Sequence, residues 1–457
     1  MRRIVLADQK HIHPFNEPAR DLRIQNKPLW LLQRDLLAPF VTEEMEYPDW
    51  GLAERFEQDN KTEVLVHASH LYFNQELIEE FIRRARAGKK PVRLAFSVHD
   101  KAITQHVLPL TTRSLVRKDD EFLVDVWYFP DGVHQRAEAE TLVIDTEARE
   151  RGYYHIPPYM ATETGDLVYN LPRKAFVAIE SWVHVFIADI LFGIFTYGVN
   201  QEDEINNSWT YKLSILLRSV MEQKPFLSCS KLVQIGKNCT IHPTAQITGP
   251  AIIGDNVQID AGVVIDACII GNNVTISQGS QLHISVIGDG CFLPFRAALF
   301  MTTMMEHSMV AQNTCLQLCV VGRDSFIGAG STFTDFNLLS APLKAMNGDG
   351  KLAEANLRIL GGCVGHHCRL GAGLVVHPGR TIESDTILIP DERHFFLQKN
   401  VPFEDSDHHQ YADKIPYHRL YPPLPPEPSP PEPSVAKVAD ADDSPTPEEP
   451  EETEAAF

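Results

Sequence analysis

Isoleucine recurs every six residues in the middle of the chain, and this period organises the sequence around it. A small or branched residue follows four positions after each of these isoleucines. The period fits neither the turn of an α-helix nor the alternation of an ordinary strand. It is typical of a parallel β-helix, in which three short strands complete one coil. The isoleucines are Ile235, Ile241, Ile247, Ile253, Ile259 and Ile265.

The length of a coil follows from a repeated Ile-Gly turn, whose successive spacings are 18, 17 and 17 residues. Three hexads, with one residue occasionally deleted, therefore make one coil. Glycine and asparagine at these turns suit the positive φ of tight corners. The register blurs between Phe295 and Val320, which we interpret as one degenerate coil. The turns begin at Ile235, Ile253, Ile270 and Ile287.

A stretch without the repeat, residues 336–356, interrupts the ladder before it resumes at Ile359. We predict a β-helix over residues 231–391 that carries this stretch as an inserted loop. A 21-residue excursion that rejoins a solenoid in register is long for a loop without a role. Two interpretations stay open at this point, a functional loop and a tolerated surface insertion.

Alternating strand and helix patterns occupy the first part of the chain. This order predicts an α/β domain with a mostly parallel sheet over residues 1–170. Two further strands, Glu121–Phe129 and Thr141–Ile144, are expected as an antiparallel addition. The patterns are Arg3–Ala7, Glu63–His67 and Val92–Val98 for strands, and Lys27–Leu37 and Gln75–Arg86 for helices.

Residues 171–230 are predicted to form a helical connector between the two parts. The segment Lys174–Tyr197 is apolar and long enough to raise the question of a membrane span. Glu180, His184 and Asp189 interrupt it, so we predict no span but an amphipathic helix buried against the first domain or a neighbouring subunit. Glu180 and His184 are four residues apart, and a solvated pair is favoured over a catalytic dyad.

Charge is distributed unevenly along the chain, whose net charge is −20. The last 37 residues contain ten acidic residues and one basic residue, Lys437. That segment also holds eleven of the 31 prolines. We predict a C-terminal extension over 392–420 and a disordered acidic tail over 421–457. The remaining chain is mildly acidic, which argues against a nucleic-acid partner.

All eight cysteines lie between Cys229 and Cys368, and no Cys-x-x-Cys pair occurs. Packing thiols are therefore favoured over disulfides or metal ligands. Asp8 and Lys10 break the apolar start of the chain, so we expect a first strand rather than a signal peptide. Together these features predict a cytoplasmic protein.

The segment Phe326-Ile-Gly-Ala-Gly-Ser-Thr-Phe-Thr-Asp-Phe-Asn337 is similar to an Asn-Ile-Gly-Ala-Gly-Thr segment that precedes a non-repeating loop in a known family. The chain resembles the bifunctional N-acetylglucosamine-1-phosphate uridyltransferase/glucosamine-1-phosphate acetyltransferase family. The resemblance implies a Rossmann-like, nucleotidyltransferase-like α/β domain, a left-handed β-helix of hexapeptide repeats and a homotrimer. It also implies a nucleotide sugar or sugar phosphate as ligand, bound in clefts between subunits, and acetyl-CoA as the donor.

In the N-terminal half, Leu22-Arg-Ile-Gln-Asn-Lys-Pro-Leu29 is similar to the family's Val-x-Gly-Lys-Pro-Leu turn. The resemblance implies a phosphate-binding role for basic residues nearby. Two departures concern the chemistry: no glycine follows the first strand, and His67-Ala-Ser-His70 stands where the family has a Gly-Asp that holds Mg²⁺. Mg²⁺ and ordinary nucleotidyl transfer are therefore not expected. The candidate phosphate-binding residues are Lys10, Arg20, Arg23 and Lys27.

In the acetyltransferase half, the family places a histidine base shortly before its Ile-Gly-Ala-Gly segment. The corresponding stretch, Val310–Gln317, has no histidine. His307 and His283 are the candidates to replace that base. We also predict a catalytic role for Asp335. The predicted substrate-binding residues are Asn337, Arg296 and Asn313.

His366 and His367 occupy a corner that asparagine or aspartate fills elsewhere, and a structural role is favoured. No histidines in the repeats have the spacing of a zinc hydratase, so no metal site is predicted. Two functions remain in competition. One is a sugar-nucleotide or sugar-phosphate transferase, nucleotidyltransferase-like or acyltransferase-like, with its ligand between the β-helix and the 336–356 loop. The other is a non-catalytic trimeric scaffold or ligand sensor.

Overall fold

The computed structural model describes residues 1–161, 164–338, 342–392, 395–415 and 417–424. The chain divides into two compact units, Met1–Pro423 and Leu424–Phe457. The predicted acidic tail lies outside the described residues from residue 425 onward. Everything below concerns the first unit.

A mixed β-sheet forms the core of the N-terminal domain. Its first strand, Arg2–Leu6, pairs in parallel with both of its neighbours. The long strand Glu121–Phe129 runs antiparallel to Val64–Ala68 and Val92–Ser97, as expected from the sequence. An α/β domain is thereby confirmed. The antiparallel orientation expected for Thr141–Ile144 is wrong, because Glu140–Val143 pairs in parallel with Val92–Ser97. The spatial order is Glu43–Tyr47, Arg2–Leu6, Val64–Ala68, Glu121–Phe129, Val92–Ser97 and Glu140–Val143, with Val116–Lys118 paired beside Glu121–Phe129.

Two helices of this domain begin where a side chain caps the first turn. Asn74 accepts a hydrogen bond from the amide of Leu77, and the helix Gln75–Gly88 ends at Lys89 in the left-handed region. Its apolar residues Leu77, Ile78, Phe81, Ile82 and Ala85 are buried. The other α-helices are Leu29–Leu37 and Trp50–Glu57, and short 3₁₀ turns occur at Ala19–Asp21 and Val133–Glu138.

Four two-stranded pairings surround the main sheet. The largest is an antiparallel hairpin of long strands that precedes the connector. A five-residue π-helical turn, Ile103–Val107, lies elsewhere in the domain. The pairs are His11–Ile12 with Glu17–Pro18, Arg23–Ile24 with Lys27–Pro28, Leu71–Phe73 with Phe176–Ala178, and Arg149–Ile156 with Gly165–Leu171.

The connector differs from its prediction at its start. Phe176–Ala178 is a strand, because its backbone pairs with Leu71–Phe73. The helix begins only at Trp182, after Ser181 caps its first turn. It is the one helix in the described ranges that is long and apolar enough to cross a membrane, but 83% of its most apolar window is buried. Its segments are Trp182–Phe186, π-helical Ile187–Phe195 and Thr196–Asn207, and the helix Trp209–Glu222 follows.

Three parallel sheets of eight strands each stack along the rest of the unit, which fits a left-handed β-helix. The first sheet contains Val233–Ile235, Ala251–Ile253, Ile269–Ile270, Val286–Ile287, Thr303–Met304, Val320–Val321, Cys363–Val364 and Thr381–Ile382. The second contains Thr240–Ile241, Gln258–Ile259, Thr275–Ile276, Phe292–Leu293, Met309–Val310, Phe326–Ile327, Arg369–Leu370 and Ile387–Leu388. The third contains Gln246–Thr248, Val264–Asp266, Gln281–His283, Ala298–Phe300, Cys315–Gln317, Thr332–Phe333, Val375–Val376 and Phe396–Leu397.

The blurred stretch at Phe295–Val320 is a coil in full register, since Val286 aligns with Thr303 and Thr303 with Val320. From Ile253 onward the anchor residues of the repeats point inward and form a continuous apolar core, whereas Ile235 in the first coil is exposed. The apolar run Ala297–Met305 is buried or half-buried within the chain.

The corner after the first sheet is a column of residues with positive φ, mostly asparagine, aspartate, glycine and histidine. His307 and His367 both belong to this column. His367 stacks on Tyr417 of the C-terminal extension, with ring centroids 4.6 Å apart. His366 is fully buried and lies 3.0 Å from a carboxylate oxygen of Glu17. Both histidines therefore have structural contacts, as favoured above.

The N-terminal domain covers the outer face of the first sheet, where Val286, Thr303 and Val320 are buried. A charged network crosses this junction. Arg323 donates two hydrogen bonds to Glu17, of 2.6 and 2.8 Å. Glu306 lies 3.2 Å from Arg323 and 2.9 Å from Arg23. These groups join the two parts into one unit.

Asp189 is buried at the same junction, where it accepts a hydrogen bond of 2.6 Å from the amide of Gln25 and one of 2.7 Å from the hydroxyl of Thr303. Burial raises the pKa of Asp189 to about 6. Between pH 4 and pH 6 the folded protein therefore keeps a proton that the unfolded chain releases. The free energy of unfolding should fall by about 3 kcal/mol as the pH rises through this window, and stay level above it.

The Asp189→Asn variant should lose this contribution, because an amide keeps both hydrogen bonds without ionising. Urea denaturation of both proteins at a series of pH values measures the difference. The free energy of unfolding of the unmodified protein minus that of Asp189→Asn should change between pH 4 and pH 6 and stay constant above pH 6. A constant difference across the whole range would contradict the assignment.

Candidate functional site

The candidate residues on the β-helix do not converge within one chain. His307 is 64% exposed on the first corner, and its ring lies 3.6 Å from Asp324. His283 lies on the third sheet, 3.6 Å from Asp266. Arg296 and Asn313 are exposed on successive coils of the second corner, after Phe292–Leu293 and Met309–Val310. Their assignment therefore remains a prediction about clefts between subunits.

Asp335 and Asn337 stand at the start of the inserted loop. Burial raises the pKa of Asp335, whose charge also acts on Tyr153 and Tyr169 of the N-terminal domain. A backbone bridge joins Phe336 to Ile359, where the ladder resumes. The catalytic role of Asp335 and the binding role of Asn337 remain predictions.

The four basic candidates of the N-terminal half each contact a different carboxylate. Lys10 lies 3.5 Å from Asp349, Arg23 2.9 Å from Glu306 and Lys27 2.6 Å from Asp35. Arg20 pairs with Glu46. Only Lys10 approaches the inserted loop, so the four do not form one phosphate cradle. Their binding role remains a prediction.

The inserted loop forms a hairpin that reaches the α/β domain. Strand Lys344–Met346 pairs with Leu352–Glu354, and we name these strands with their turn the insertion hairpin. Ser181 donates a hydrogen bond of 2.7 Å to the carbonyl of Met346. The amide of Gly348 donates to the carbonyl of Leu110, at 3.2 Å. The loop therefore joins the β-helix to the N-terminal domain.

The insertion hairpin comes close to the carboxyl edge of the N-terminal sheet. Asp8 follows the strand Arg2–Leu6, and His70 follows the strand Val64–Ala68. Because these neighbouring strands are parallel, both side chains leave the sheet at the same edge. Open α/β sheets bind ligands at that edge.

Four side chains at this edge form a continuous chain of polar contacts. His70 Nδ1 lies 3.0 Å from Asp8 Oδ2, and His70 Nε2 lies 2.7 Å from the hydroxyl oxygen of Ser114. Arg113 donates a hydrogen bond of 2.6 Å to Asp8. We name Asp8, His70, Arg113, Ser114 and Glu180 the edge site.

The electrostatics of the edge site keep Asp8 ionised. Burial alone would raise its pKa, but the contacts with His70 and Arg113 hold the pKa of Asp8 well below its usual range. The ionised carboxylate of Asp8 lies 3.0 Å from His70 Nδ1 and favours a proton on that nitrogen, although the two groups are not aligned as a hydrogen bond. Nε2 is then free to accept the hydroxyl hydrogen of Ser114. This is the order of a nucleophile, a base and an orienting carboxylate.

Glu180 lies at the same edge, and it is buried rather than solvated. It accepts hydrogen bonds from the amides of Thr112 and Ser114, at 2.8 and 3.0 Å. Burial opposes ionisation, but these contacts and the charge of Arg113 lower the pKa of Glu180. His184 accepts from the amide of Glu180, not from its carboxylate. The expected solvated pair of Glu180 and His184 is therefore wrong, because both residues pack inside the domain.

Gly348 of the insertion hairpin packs tightly against this carboxylate. A Cβ atom at Gly348 would lie 2.5 Å from Glu180 Oε2 and 2.7 Å from the hydroxyl oxygen of Thr112. Only glycine allows the turn to approach so closely. The insertion hairpin therefore bounds one side of the edge site.

Three of these residues carry a signal in the sequence for other reasons. Asp8 breaks an apolar run, His70 belongs to the segment that stands in place of a metal carboxylate, and Glu180 interrupts the apolar segment of the connector. Ser114 carries no signal in the sequence, since it lies in a loop that is distant from Asp8 and His70 along the chain. One pattern could have indicated the site: Asp8 and His70, which can both take part in proton transfer, each follow a strand, and the two strands are adjacent and parallel. No group of three His, Cys, Asp or Glu side chains among the described residues could hold a metal ion.

The bacterial transferase hexapeptide family matches residues 233–267 and 250–283 of the chain. This match agrees with the observed stack of short parallel strands and confirms the hexapeptide repeats. No curated protein sequence matches the chain.

Two solved structures are similar to part of the chain. UDP-N-acetylglucosamine acyltransferase from Campylobacter jejuni aligns with 36% of it at 15% identity, with a TM-score of 0.26. The alignment covers 62% of that enzyme, which is less than two thirds of its length. A Bacillus cereus protein assigned as an acetyltransferase aligns with 40% of the chain at 17% identity, with a TM-score of 0.18, and is covered over 94% of its length.

Proposed function

We propose that the protein is an acyltransferase whose reaction centre is the edge site. The observation that carries the proposal is the chain of contacts from Asp8 through His70 to Ser114. A hydroxyl held 2.7 Å from an oriented histidine is suited to accept an acyl group. The description of the hexapeptide family as transferases is consistent with group transfer.

In the proposed first step, Ser114 attacks the carbonyl carbon of an acyl thioester such as acetyl-CoA. His70 takes the hydroxyl proton as the Oγ–C bond forms, and the C–S bond breaks. The proton then passes from His70 to the leaving thiolate. Arg113 supplies positive charge next to Ser114, which favours the negative charge of the transition state.

In the proposed second step, a hydroxyl or amine of the acceptor attacks the acyl carbon. His70 takes the proton of the acceptor and returns it to Ser114 as the ester bond breaks. We propose a sugar phosphate or nucleotide sugar as the acceptor. Lys10 and Arg113 are both partly exposed at the edge and can attract its phosphate.

The test is to trap the acyl-enzyme. The protein is incubated with acetyl-CoA or with p-nitrophenyl acetate, and the mass of the intact chain and of its peptides is measured. We expect one acetyl group on Ser114 and none on the Ser114→Ala variant. Treatment with neutral hydroxylamine separates this ester from thioesters on the cysteines, because only the thioesters are cleaved readily.

The two β-helix histidines serve as controls. The His307→Ala and His283→Ala variants should be acetylated like the unmodified chain, since the carboxylates next to these histidines, Asp324 and Asp266, belong to the β-helix and not to the edge site. Loss of labelling in either variant would move the reaction centre to the β-helix. Absence of labelling and of turnover in every protein would favour the non-catalytic scaffold or ligand sensor.

We also propose a homotrimer in the cytoplasm. Since the N-terminal domain covers the first sheet, another face must supply the contact between subunits. The second sheet presents Phe292, Met309 and Phe326 in register on its outer face. Phe292 and Phe326 are exposed apolar side chains, as such a contact requires. The eight free cysteines are consistent with a reducing compartment.

Native mass spectrometry tests the assembly. A species of three times the protomer mass is expected, and Phe292→Asp should convert it to monomer. Replacing Val116, an exposed valine on the strand Val116–Lys118 of the N-terminal domain, by aspartate should leave the trimer intact. A monomer in the unmodified protein would contradict the proposal.

A further inference from the structure

The helix Trp209–Glu222 turns an apolar face outward. Six of its side chains are both apolar and exposed, and at 3.6 residues per turn they fall within roughly 100° of the helix circumference. The opposite face is less apolar, since its buried residues are Ile215 and Ser219. We name the six exposed side chains the apolar stripe: Trp209, Leu213, Leu216, Leu217, Val220 and Met221.

The apolar stripe is far more exposed than a packed helix face. Met221 is 75% exposed, Trp209 74% and Val220 68%. Leu227, in the short turn Phe226–Ser228 that follows the helix, is exposed as well. Single apolar side chains are normal on a protein surface, whereas a contiguous apolar patch marks a contact with a partner. The stripe is therefore a docking surface, and the charge around it indicates for what.

The charge of this region is opposite to that of the whole chain. Residues 208–237 carry a net charge of +4, in a chain whose net charge is −20. The one acidic residue of the segment is Glu222, which pairs with Arg218 and lies 3.7 Å from Lys224. All five basic side chains of the segment are exposed: Lys212, Arg218, Lys224, Lys231 and Lys237.

The preceding helix, Thr196–Asn207, has three acidic residues near its end, but two of them lie against arginines of the N-terminal domain. Asp203 pairs with Arg149 and Arg151, and Glu202 lies 3.8 Å from Arg151. These arginines balance the two carboxylates. The cations on and after Trp209–Glu222 are therefore available to an anionic partner.

A second copy of this helix would suit the apolar stripe poorly. Four residues of the stripe have the spacing of a coiled-coil seam, but a seam between helices is flanked by residues of opposite charge. The positions that flank the seam contain a lysine and no acidic residue, so two copies would bring like charges together. The seam residues are Trp209, Leu213, Leu216 and Val220, and the flanking residues are Thr210, Lys212, Leu217 and Ser219.

We propose that the apolar stripe docks the protein on an anionic lipid surface. A helix that lies in a membrane interface buries leucine and tryptophan side chains at the acyl boundary and keeps its lysines near the headgroups. The stripe supplies the apolar side chains, and Trp209 has the amphipathic ring that is favoured at this depth. Lys212 beside the stripe and Lys224 after the last turn supply charge for anionic headgroups.

The length of the helix makes this a surface contact and not a membrane span. The helix has 14 residues. At 1.5 Å per residue it is about 21 Å long, which is shorter than the roughly 30 Å hydrocarbon core of a bilayer. An assembly of several copies would present several stripes to one surface, which strengthens the contact.

Flotation of the whole chain with lipid vesicles tests the proposal. One set of vesicles contains phosphatidylcholine alone, and the other contains about one third phosphatidylserine. We expect at least tenfold stronger binding to the vesicles with phosphatidylserine. That advantage should disappear at about 1 M salt, where the Debye length is about 3 Å. Absence of binding, or equal binding to both vesicles at low salt, would overturn the proposal.

Matched variants locate the contact. Val220→Asp puts a charge in the apolar stripe and should weaken binding at least tenfold. Val116→Asp makes the same change at an exposed valine of the N-terminal domain and should not. Both positions are exposed, so thermal denaturation should show both proteins folded as the unmodified chain is. Equal binding of the two variants would place the contact outside the stripe.

The fluorescence of Trp209 reports insertion directly. Its emission should move to shorter wavelength when vesicles with phosphatidylserine are added, because the ring leaves water. The chain has five tryptophans, so the Trp209→Phe variant identifies the source of the signal. A shift of the same size in Trp209→Phe would contradict insertion of the stripe.

Native mass spectrometry separates a lipid partner from a second copy of the chain. Val220→Asp should keep the assembly state of the unmodified protein. A smaller assembly in this variant would show that the stripe contacts another subunit, and would overturn the proposal. Docking on lipid does not rest on the proposed reaction, so Ser114→Ala should bind the vesicles as the unmodified protein does.

Discussion

The His70→Ala variant is expected to lose acyl transfer by roughly 10⁴-fold in kcat, at the upper end of what a general base contributes. The reason is geometric: His70 is the group that joins Ser114 at 2.7 Å to Asp8 at 3.0 Å. Without it, the hydroxyl has no base and the carboxylate has nothing to orient. KM for the acceptor should change little, because His70 contributes to the reaction and not to the phosphate contacts.

The measurement is the rate of release of free thiol from an acyl thioester, with and without acceptor. Ser114→Ala should reduce the rate as much as His70→Ala does, and the double variant should lose no more than either, because the residues act as one unit. His307→Ala and His283→Ala keep their rates under this assignment. An unchanged rate in His70→Ala, with normal thermal stability, would contradict it.

The Arg323→Ala variant is expected to lose about 3–5 kcal/mol of unfolding free energy, the cost typical of breaking a buried ion pair. Arg323 is the cation that contacts both Glu17 and Glu306 at the junction of the two parts. Its removal leaves two carboxylates largely buried with less positive charge between them. His366 alone remains in contact with Glu17.

Chemical denaturation followed by circular dichroism measures this loss. The matched control is Arg296→Ala, which removes an exposed arginine from a corner of the same β-helix and should change stability by at most about 0.5 kcal/mol. Adding Glu17→Gln to Arg323→Ala should restore part of the loss, since one uncompensated charge disappears. Equal stability of Arg323→Ala and Arg296→Ala would show that the network is not stabilising.

The same network gives a pH dependence of defined sign. Burial opposes ionisation of Glu17, but His366 and Arg323 hold the pKa of Glu17 below its ordinary value. A carboxyl with a depressed pKa stabilises the fold above its unfolded pKa, and that stability is lost as the pH falls through the folded value. The difference in stability between the unmodified protein and Glu17→Gln should therefore shrink on acidification below about pH 4.5.

The β-helix was predictable from the sequence because its interactions are local. Each coil pairs with the coils before and after it, so a period of six in the isoleucines, with asparagine and glycine at the corners, already specifies the stacking. The blurred coil at Phe295–Val320 was placed correctly for the same reason. Five strands of the main α/β sheet were found from local patterns as well, but the edge strand Glu43–Tyr47 was not. The start of the connector helix depended on a strand pairing with Leu71–Phe73.

The edge site could not be predicted from the sequence, because tertiary packing alone brings Asp8, His70, Ser114 and Glu180 together. Parallel pairing of their strands places Asp8 and His70 at one edge of the sheet. Folding of the loop after residue 108 then brings the hydroxyl of Ser114 next to His70. Docking of the insertion hairpin then bounds the site at Gly348. By itself the sequence determined the repeating fold and marked the inserted loop as unusual. Where that loop goes was decided by the tertiary structure, since its contacts lie on a domain more than 150 residues earlier in the chain.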